Sequence, residues 1–489
     1  MRRSRFAGRS GVRLTRLLAA AVAATACAFA FGAGSAAAAI TCTDTLADQA
    51  TVNGALAGGG TVIVNGTCLG NFLVPVTVTI QGGSPGATLD GNATGSVLDV
   101  TGTGVTLTVR NLRVTDGSAS VGGGIDAETA NTIVLSSALV TGNTASDEGG
   151  GVFLDDGILD AVSSSVSGNS ALFGAGVFAE DFSSVTVTNS SVTGNTTGMG
   201  GAGGGLYVTD NSFATLTGAT VSNNQAAYEG GGVWVGDFST LQATASTISH
   251  NQTTQVLTLY GGGGIWMGDA QVSLDTTHVS WNGSADFGGG IAYYGHTQEA
   301  AGLTVTNSTV DHNTAAFSGG GLYSDAQIGD ATVSLDHSTV SFNRVTDGDG
   351  GGIANYGTCN NTASLLITNS ALGGNLATSG EGGGIYNSNG EVCGGGGSAL
   401  VTLSNTSVGR ISGTINPDRA RFGGGIFNEP GDGSSDLTLQ SGTSVVGNQA
   451  MITGGGVFNC GGAGLSVGPG ALIMLNQPNN LVNGPPCPA

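Results

Sequence analysis

The sequence predicts an all-β fold: a single-stranded right-handed parallel β-helix (a solenoid) with three short strands per coil, about fourteen coils and a short N-terminal capping helix. The prediction rests on a glycine-rich composition and on two motifs that recur along the chain. Of 489 residues, 90 are Gly, and only 9% are charged. Gly is a poor helix former, and the frequent Val, Ile and Leu residues argue against disorder. A repetitive β architecture with many tight turns fits both observations.

The first motif is a run of three Gly residues followed by an aliphatic residue. Its aliphatic residues are, in chain order, Ile125, Val152, Leu206, Val233, Ile265, Ile291, Leu322, Ile353, Ile385, Ile426 and Val457. A variant copy, Gly174-Ala175-Gly176-Val177, belongs to the same series. Such self-similarity is typical of solenoids, in which each repeat buries its apolar face against its neighbours.

The second motif is an aliphatic residue three positions before an Asn. Its Asn residues are Asn143, Asn169, Asn195, Asn224, Asn251, Asn282, Asn313, Asn343, Asn375, Asn448 and Asn476. The copy at Val408 has Ile411 in place of the Asn. Because Asn tolerates left-handed turn geometry, the motif predicts a turn at one fixed place in each coil, with the amides stacked along the rod.

A third segment alternates apolar and polar residues, as in Val272-Ser-Leu274-Asp and Val333-Ser-Leu335-Asp. Period-2 alternation indicates a strand with one face turned inward. Each repeat therefore holds three short strands separated by turns. The usual crossover chirality makes the helix right-handed, and about fourteen coils give a rod of roughly 65 Å.

The chain divides into four predicted segments. We predict that residues 1–39 are a signal peptide, because six Arg residues precede an apolar run and an Ala-Ala-Ala site. Residues 40–76 form an N-terminal cap and first coil, with a short amphipathic helix in Thr45 to Leu56. Residues 77–476 form the β-helix, and residues 477–489 form a C-terminal tail. The early apolar run is too short to span a membrane, so we expect an exported monomer, secreted or surface-associated, with no transmembrane segment.

Six cysteines follow the signal segment, and an even number in an exported chain indicates disulfides. The sequential pairs are about one coil apart, which favours sequential pairing and excludes no other connectivity outright. The expected bonds are Cys42–Cys68, Cys359–Cys393 and Cys460–Cys487.

The two motifs resemble the GGA[ILV] and FxxN repeats of chlamydial polymorphic outer membrane proteins. They are also similar to exported right-handed β-helix proteins of the pectin-lyase-like superfamily, in which Gly-Gly-Gly-Ile-Tyr-Asn recurs, as at Gly382 to Asn387. The resemblance covers about residues 90 to 476. It implies the β-helix fold and export. Here Gly replaces the Ala of the first motif, and an aliphatic residue replaces the Phe of the second.

The net charge of the chain limits the kinds of molecule that it can bind. Six Arg and 33 acidic residues follow residue 39, so that part of the chain has a net charge of −27. This surface repels nucleic acid, which needs basic patches. No Lys or Arg occurs between Arg113 and Arg344, where the uronate-cleaving relatives implied by the resemblance carry theirs.

Aromatic residues directly after the Gly motif are the binding candidates. Alternation along the strand should turn them outward, where aromatic faces suit sugar rings or apolar partner groups. The competing interpretation is that the rings stack between strands and stabilise the sheet. The candidates are Phe153, Phe178, Tyr207, Trp234 and Trp266.

A row of Asp residues lies four positions after the aliphatic residue of the Gly motif. Carboxylates in register could bind Ca²⁺, supply a glycosidase acid pair, or form a solvated charged edge. Ca²⁺ is the one cofactor that the sequence suggests. The row consists of Asp156, Asp181, Asp210, Asp237 and Asp269.

These features predict a secreted or surface-associated β-helix without catalysis, which binds a polysaccharide or a surface protein or acts as a structural module. The alternative is a polysaccharide lyase or glycoside hydrolase of the pectin-lyase-like type. His250, Trp281, His312 and Phe342 occupy equivalent turn positions in consecutive coils, and we expect their rings to stack.

Overall fold

The chain winds into a parallel β-helix, as its repeats predict. The computed structural model describes residues 38–83, 85–256, 261–295, 301–327, 329–390 and 396–488. The predicted signal peptide lies outside the described residues, except for Ala38 and Ala39, which begin the first strand. In the described residues, four parallel sheets run along the solenoid, with 16, 15, 12 and 15 strands.

Sheet 1 contains the alternating segments. Its strands are Ala38–Thr41, Gly60–Asn65, Val78–Gly82, Thr106–Arg110, Thr132–Ser136, Ile158–Val162, Ser184–Thr188, Phe213–Thr217, Thr240–Thr244, Gln271–Asp275, Ala301–Thr306, Ala331–Asp336, Thr362–Thr368, Ser398–Ser404, Ser434–Leu439 and Gly464–Val467. Within Thr132–Ser136, the alternate residues Ile133 and Leu135 are buried.

Sheet 2 contains the aliphatic residues that precede the Asn turn. Its strands are Thr67–Leu69, Thr88–Asp90, Arg113–Thr115, Leu139–Thr141, Ser165–Ser167, Ser191–Thr193, Thr220–Ser222, Thr247–Ser249, His278–Ser280, Thr309–Asp311, Thr339–Ser341, Ala371–Gly373, Ser407–Val408, Ser444–Val446 and Leu472–Met474.

Sheet 3 follows the Asn turn. Its strands are Ser118–Val121, Thr144–Glu148, Ser170–Phe173, Thr196–Ala202, Gln225–Ala226, Gln252–Thr253, Gly283–Ser284, Thr314–Ala315, Arg344–Val345, Leu376–Ala377, Arg419–Phe422 and Gln449–Thr453. The prediction of three strands per coil missed this sheet. Several of its strands are only two residues long and therefore show no alternation in the sequence.

Sheet 4 follows the Gly motif. Its strands are Phe72–Leu73, Leu98–Val100, Ile125–Ala127, Val152–Asp155, Val177–Glu180, Leu206–Val208, Val233–Gly236, Ile265–Gly268, Ile291–Tyr294, Leu322–Asp325, Ile353–Tyr356, Ile385–Ser388, Ile426–Glu429, Val457–Asn459 and Leu481–Asn483. The aliphatic residues of the Gly motif point inward and are buried in one continuous core.

The Gly motif is needed because neighbouring coils approach closely there. Gly230 has a φ of 59°, in the left-handed region. A Cβ on Gly232 would lie 2.6 Å from the carbonyl oxygen of Gly264 and 2.9 Å from Nδ2 of Asn251. Any side chain would therefore push two coils apart.

The Asn residues of the second motif form a buried column, here called the asparagine ladder. Asn251 shows the pattern: its Nδ2 donates to Oδ1 of Asn282 and to the carbonyl oxygen of Val221, each at 3.0 Å. Its backbone N–H donates to the same Asn282 oxygen at 2.9 Å. The prediction of stacked turn amides is confirmed.

The copy without an Asn contains an insertion. Arg410–Ile411 and Thr414–Ile415 form a short antiparallel hairpin outside the four sheets. After the hairpin, Asp418 takes the vacant place in the ladder and accepts hydrogen bonds from Asn375. The insertion explains why this repeat is the longest.

A helix, Ala47–Leu56, covers the N-terminal end of the core with the buried side chains of Val52 and Leu56. Two predicted disulfides are present: Cys42–Cys68 and Cys460–Cys487, with Cα atoms 5.0 and 5.1 Å apart. Cys359 is also disulfide-bonded. Its predicted partner, Cys393, lies outside the described residues.

Candidate functional site

The five predicted binding residues form one stacked series, here called the aromatic column. Their ring centroids lie 5.7, 5.0, 4.0 and 4.8 Å apart from Phe153 to Trp266, and the rings are parallel to within 11°. The column lies on the outer face of sheet 4, as alternation requires. Stacking between strands is therefore the role that the geometry gives these rings.

The expectation that the column is exposed is wrong. Phe153, Phe178, Trp234 and Trp266 are only 3–6% exposed, and Tyr207 is half-buried. The ends of sheet 3 strands and the segment that leads from them to the next Gly motif cover the rings: Phe173 and Ala202 end such strands, Phe287 lies in such a segment, and all three pack in the same cluster as Trp234 and Trp266. The alternation of apolar and polar residues shows which side chains of a strand point away from the core. It does not show whether another segment of the chain packs over those side chains.

The acidic row, Asp156 to Asp269, lies at a sharp turn. All five Asp residues have φ between 51° and 52°, a left-handed conformation that Asp adopts more readily than most residues. Asp269 is half-buried and the other four are exposed. Turn geometry is thus a sufficient reason for Asp at this position.

The acidic row does not assemble a metal centre. Among the described residues, no group of three or more His, Cys, Asp or Glu side chains is placed to hold a metal ion. Asp237 accepts a hydrogen bond from the Thr209 hydroxyl at 2.9 Å. Burial, followed by the charges of Asp237 and Asp181, raises the pKa of Asp210. The row therefore behaves as a charged edge in which neighbouring carboxylates repel each other.

A second series of rings is exposed. It is called here the exposed aromatic strip and consists of His250, Trp281, His312 and Phe342. Successive centroids are 6.3, 4.2 and 5.1 Å apart, which confirms the predicted stacking. Trp281 is 55% exposed and Phe342 is 44% exposed. Each ring directly precedes a ladder Asn, at φ between 54° and 57°, and this conformation directs the side chain away from the core.

Polar groups border the exposed aromatic strip. A shallow depression of about 410 Å³ contains His250, Trp281 and His312 together with Asn223 and Gln252. Asp311 lies beside it, with its Oδ2 2.6 Å from Nδ1 of His312. The strip thus combines the apolar edges of stacked rings with amide and carboxylate groups beside them.

A groove of about 520 Å³ lies farther along the outer face of sheet 4 and is called here the tyrosine groove. Its main lining residues are Phe287, Tyr323, Asp325, Thr358, Tyr356, Tyr386 and Glu429. The sequence analysis missed it, because the groove combines residues from two strand positions and several coils. Tyr323 and Tyr386 directly follow the Gly motif, whereas Asp325, Tyr356 and Glu429 lie two positions later.

Two carboxylates of the tyrosine groove accept hydrogen bonds from hydroxyl groups. Asp325, which is 3% exposed, accepts from Thr358 at 2.7 Å and from Tyr323 at 3.1 Å. Burial outweighs these two bonds and raises the pKa of Asp325 to about 6. Three coils farther along the same row of sheet 4, the Tyr386 hydroxyl donates to Glu429.

The groove does not have the geometry of a glycosidase acid pair. The strand register places Asp325 and Glu429 three coils apart, or about 14 Å at the usual strand spacing. Retaining and inverting glycosidases place their two carboxyl groups about 5 to 9.5 Å apart. Asp325 and Glu429 are therefore too distant to act together on one glycosidic bond.

Comparison with known proteins supports the fold. Residues 78–242 match the family model of the right handed beta helix region, which covers about a third of the chain. No curated protein matches the chain. Among solved structures, the crystal structure of Dettilon tailspike protein aligns with 12% identity and a TM-score of 0.27, over 88% of this chain and 68% of that chain. No helix in the described residues is long and apolar enough to cross a membrane.

Proposed function

We propose that this protein is an exported, non-catalytic β-helix that binds a glycan along the exposed aromatic strip. The accessibility of Trp281 and its stacked neighbours carries the proposal, since the aromatic column is covered. Export is supported by the signal-like N-terminus and by disulfides, which persist in oxidising compartments.

The strip has the properties that sugar recognition needs. Stacking turns the ring faces toward each other, so Trp281 and Phe342 offer their ring edges as exposed apolar surface, and surface of this kind commonly marks a binding site. Asn223 and Gln252 supply amide donors and acceptors for the sugar hydroxyls. Because the rings repeat once per coil, the strip offers successive positions to a linear chain of sugars.

A glycan array, probed with and without Ca²⁺, tests the proposal. We expect the wild type to bind a neutral glycan and Trp281→Ala to lose most of that binding, because aromatic anchors dominate interface energy. Binding should not need Ca²⁺, since the described residues hold no metal cluster near the strip. Phe182→Ala is the matched control, because Phe182 is 69% exposed at a turn outside the strip.

Two results would contradict the proposal: equal losses in Trp281→Ala and Phe182→Ala, or binding to protein partners but to no glycan. A polysaccharide panel assayed for reducing-sugar and unsaturated-product release addresses the lyase or hydrolase alternative. We expect no release. Activity that disappears in Asp325→Asn would replace the binding function with a catalytic one.

A further inference from the structure

The tyrosine groove has aromatic walls of unusual geometry. Phe287, Tyr323, Tyr356 and Tyr386 are in sequential ring contact, with centroids 4.7, 5.5 and 5.4 Å apart. Their planes are tilted by 31°, 44° and 48°, whereas the rings of the aromatic column are nearly parallel. The tilt leaves part of each ring face uncovered by its neighbour in this series, and such π faces carry negative charge density.

Carboxylates add to this negative field. Asp325 and Glu429 line the groove, and burial, followed by the charge of Asp349, raises the pKa of Tyr356 in its wall. Glu381, which is hydrogen-bonded to Asp349, adds little charge at neutral pH, because burial, followed by the Asp349 side chain, raises its pKa to about 8. Among the described residues that line the groove there is no Arg or His, and the sequence contains no Lys. Arg421 lies outside the groove lining, with its Nη1 3.9 Å from Oε1 of Glu381.

We propose that the tyrosine groove binds an organic ammonium ion, meaning a positively charged nitrogen that carries alkyl or sugar carbons. Such an ion gains from both features at once. Its charge is attracted by the ring faces and by Asp325 and Glu429, and its carbon substituents cover the aromatic walls. This site is separate from the exposed aromatic strip and does not depend on glycan binding there.

Other ligand classes fit the groove less well. An anionic sugar is repelled by the carboxylates, and a neutral apolar molecule gains nothing from their charge. A bare metal ion requires a ligand cluster, which the described residues do not form. Charge complementarity therefore favours an ion that is both cationic and carbon-rich.

Choline and its uncharged isostere 3,3-dimethylbutan-1-ol make a direct test by isothermal titration calorimetry. We expect choline to bind to the wild type, and the isostere, which has the same shape without the charge, to bind about tenfold more weakly or not at all. Asp325→Asn and Glu429→Gln should each weaken choline binding by about tenfold while keeping a hydrogen-bond acceptor in place. A thermal melt of each variant verifies folding, and because the two variants lie three coils apart, one of them can still report if the other fails to fold.

Two control variants make the outcomes distinguishable. Asp237→Asn removes a carboxylate from the acidic row, and Trp281→Ala removes a ring from the exposed aromatic strip; neither should change choline binding. Equal affinity for choline and its isostere would overturn the proposal, because the groove would then recognise shape alone. An equal loss in Asp237→Asn and Asp325→Asn would also overturn it, since attraction would come from the overall charge. The absence of choline binding to the folded wild type would overturn it as well, whether or not that protein binds a glycan.

Discussion

The coils from Asn143 to Asn343 are called here the regular region, and the coils that follow are called the irregular region. Both bury a polar turn, but they satisfy its hydrogen bonds in different ways. In the first region every ladder amide donates to the next Asn at 3.0 Å, without interruption. In the second, a hairpin interrupts the repeat and a carboxyl group, Asp418, stands in the ladder. The solenoid can thus accommodate an insertion, provided that a residue after the insertion places a side chain of the same shape in the asparagine ladder.

The replacement is imperfect in one respect. Asp418 is fully buried, and its Oδ1 accepts from Asn375 as an Asn oxygen would. Its Oδ2 occupies the place of an amide nitrogen and has no hydrogen-bond partner. Only a protonated carboxyl could donate there, and burial raises the pKa of Asp418 to about 7. In the regular region an amide donates this ladder hydrogen bond, whereas in the irregular region a protonated carboxyl group has to donate it.

Loss of a ring from the regular region should have the largest effect. Trp266→Ala removes a buried member of the aromatic column and should cost about 3–5 kcal/mol in the free energy of unfolding. Chemical denaturation followed by circular dichroism measures the loss. A cost below about 1 kcal/mol would show that the cover over the column is loose.

The second prediction is that Asp418→Asn changes how the free energy of unfolding depends on pH. A raised carboxyl pKa means that the folded state binds the proton more tightly. The wild type therefore loses stability as pH rises from about 4 to about 7, and the loss is complete above that range. The Asn variant lacks this dependence and should be more stable than the wild type by up to about 4 kcal/mol at alkaline pH.

Denaturation midpoints of both proteins between pH 4 and pH 9 check this expectation. Asp237→Asn, at an exposed turn, controls for general charge effects. If the wild type and Asp418→Asn gave parallel curves, Asp418 would not titrate in this range, and the ladder would accommodate a carboxylate as readily as an amide.

The smallest effect on stability is expected on the surface of the regular region. Trp281→Ala changes the same residue type as Trp266→Ala, in the next coil, but Trp281 is 55% exposed. We expect a change within about 0.5 kcal/mol, measured in the same denaturation series. A loss comparable to that of Trp266→Ala would mean that the exposed aromatic strip holds the coils together, and its glycan role would then need separate evidence.

The sequence predicts the features that recur in each coil, but it does not predict those that residues from several coils form together. Three sheets, the asparagine ladder and two of the disulfides follow from spacing, because one physical requirement recurs in each coil. The ladder position of Asp418 is hidden by the insertion that shifts the register. The burial of Trp234 depends on a covering segment with no shared motif, and the tyrosine groove combines side chains more than thirty residues apart, as Tyr323 and Tyr356 are.

The parallel indoles of Trp234 and Trp266, 4.8 Å apart and inclined by 9°, have an optical consequence. Transition dipoles this close couple through space, so the ultraviolet absorption of the stacked pair should be shifted from that of two separate indoles. The shift depends on the register of two neighbouring coils and disappears when they separate. The protein therefore carries an intrinsic spectroscopic reporter at one interface in the middle of the rod, which would reveal whether the solenoid unwinds from its ends or opens at its centre.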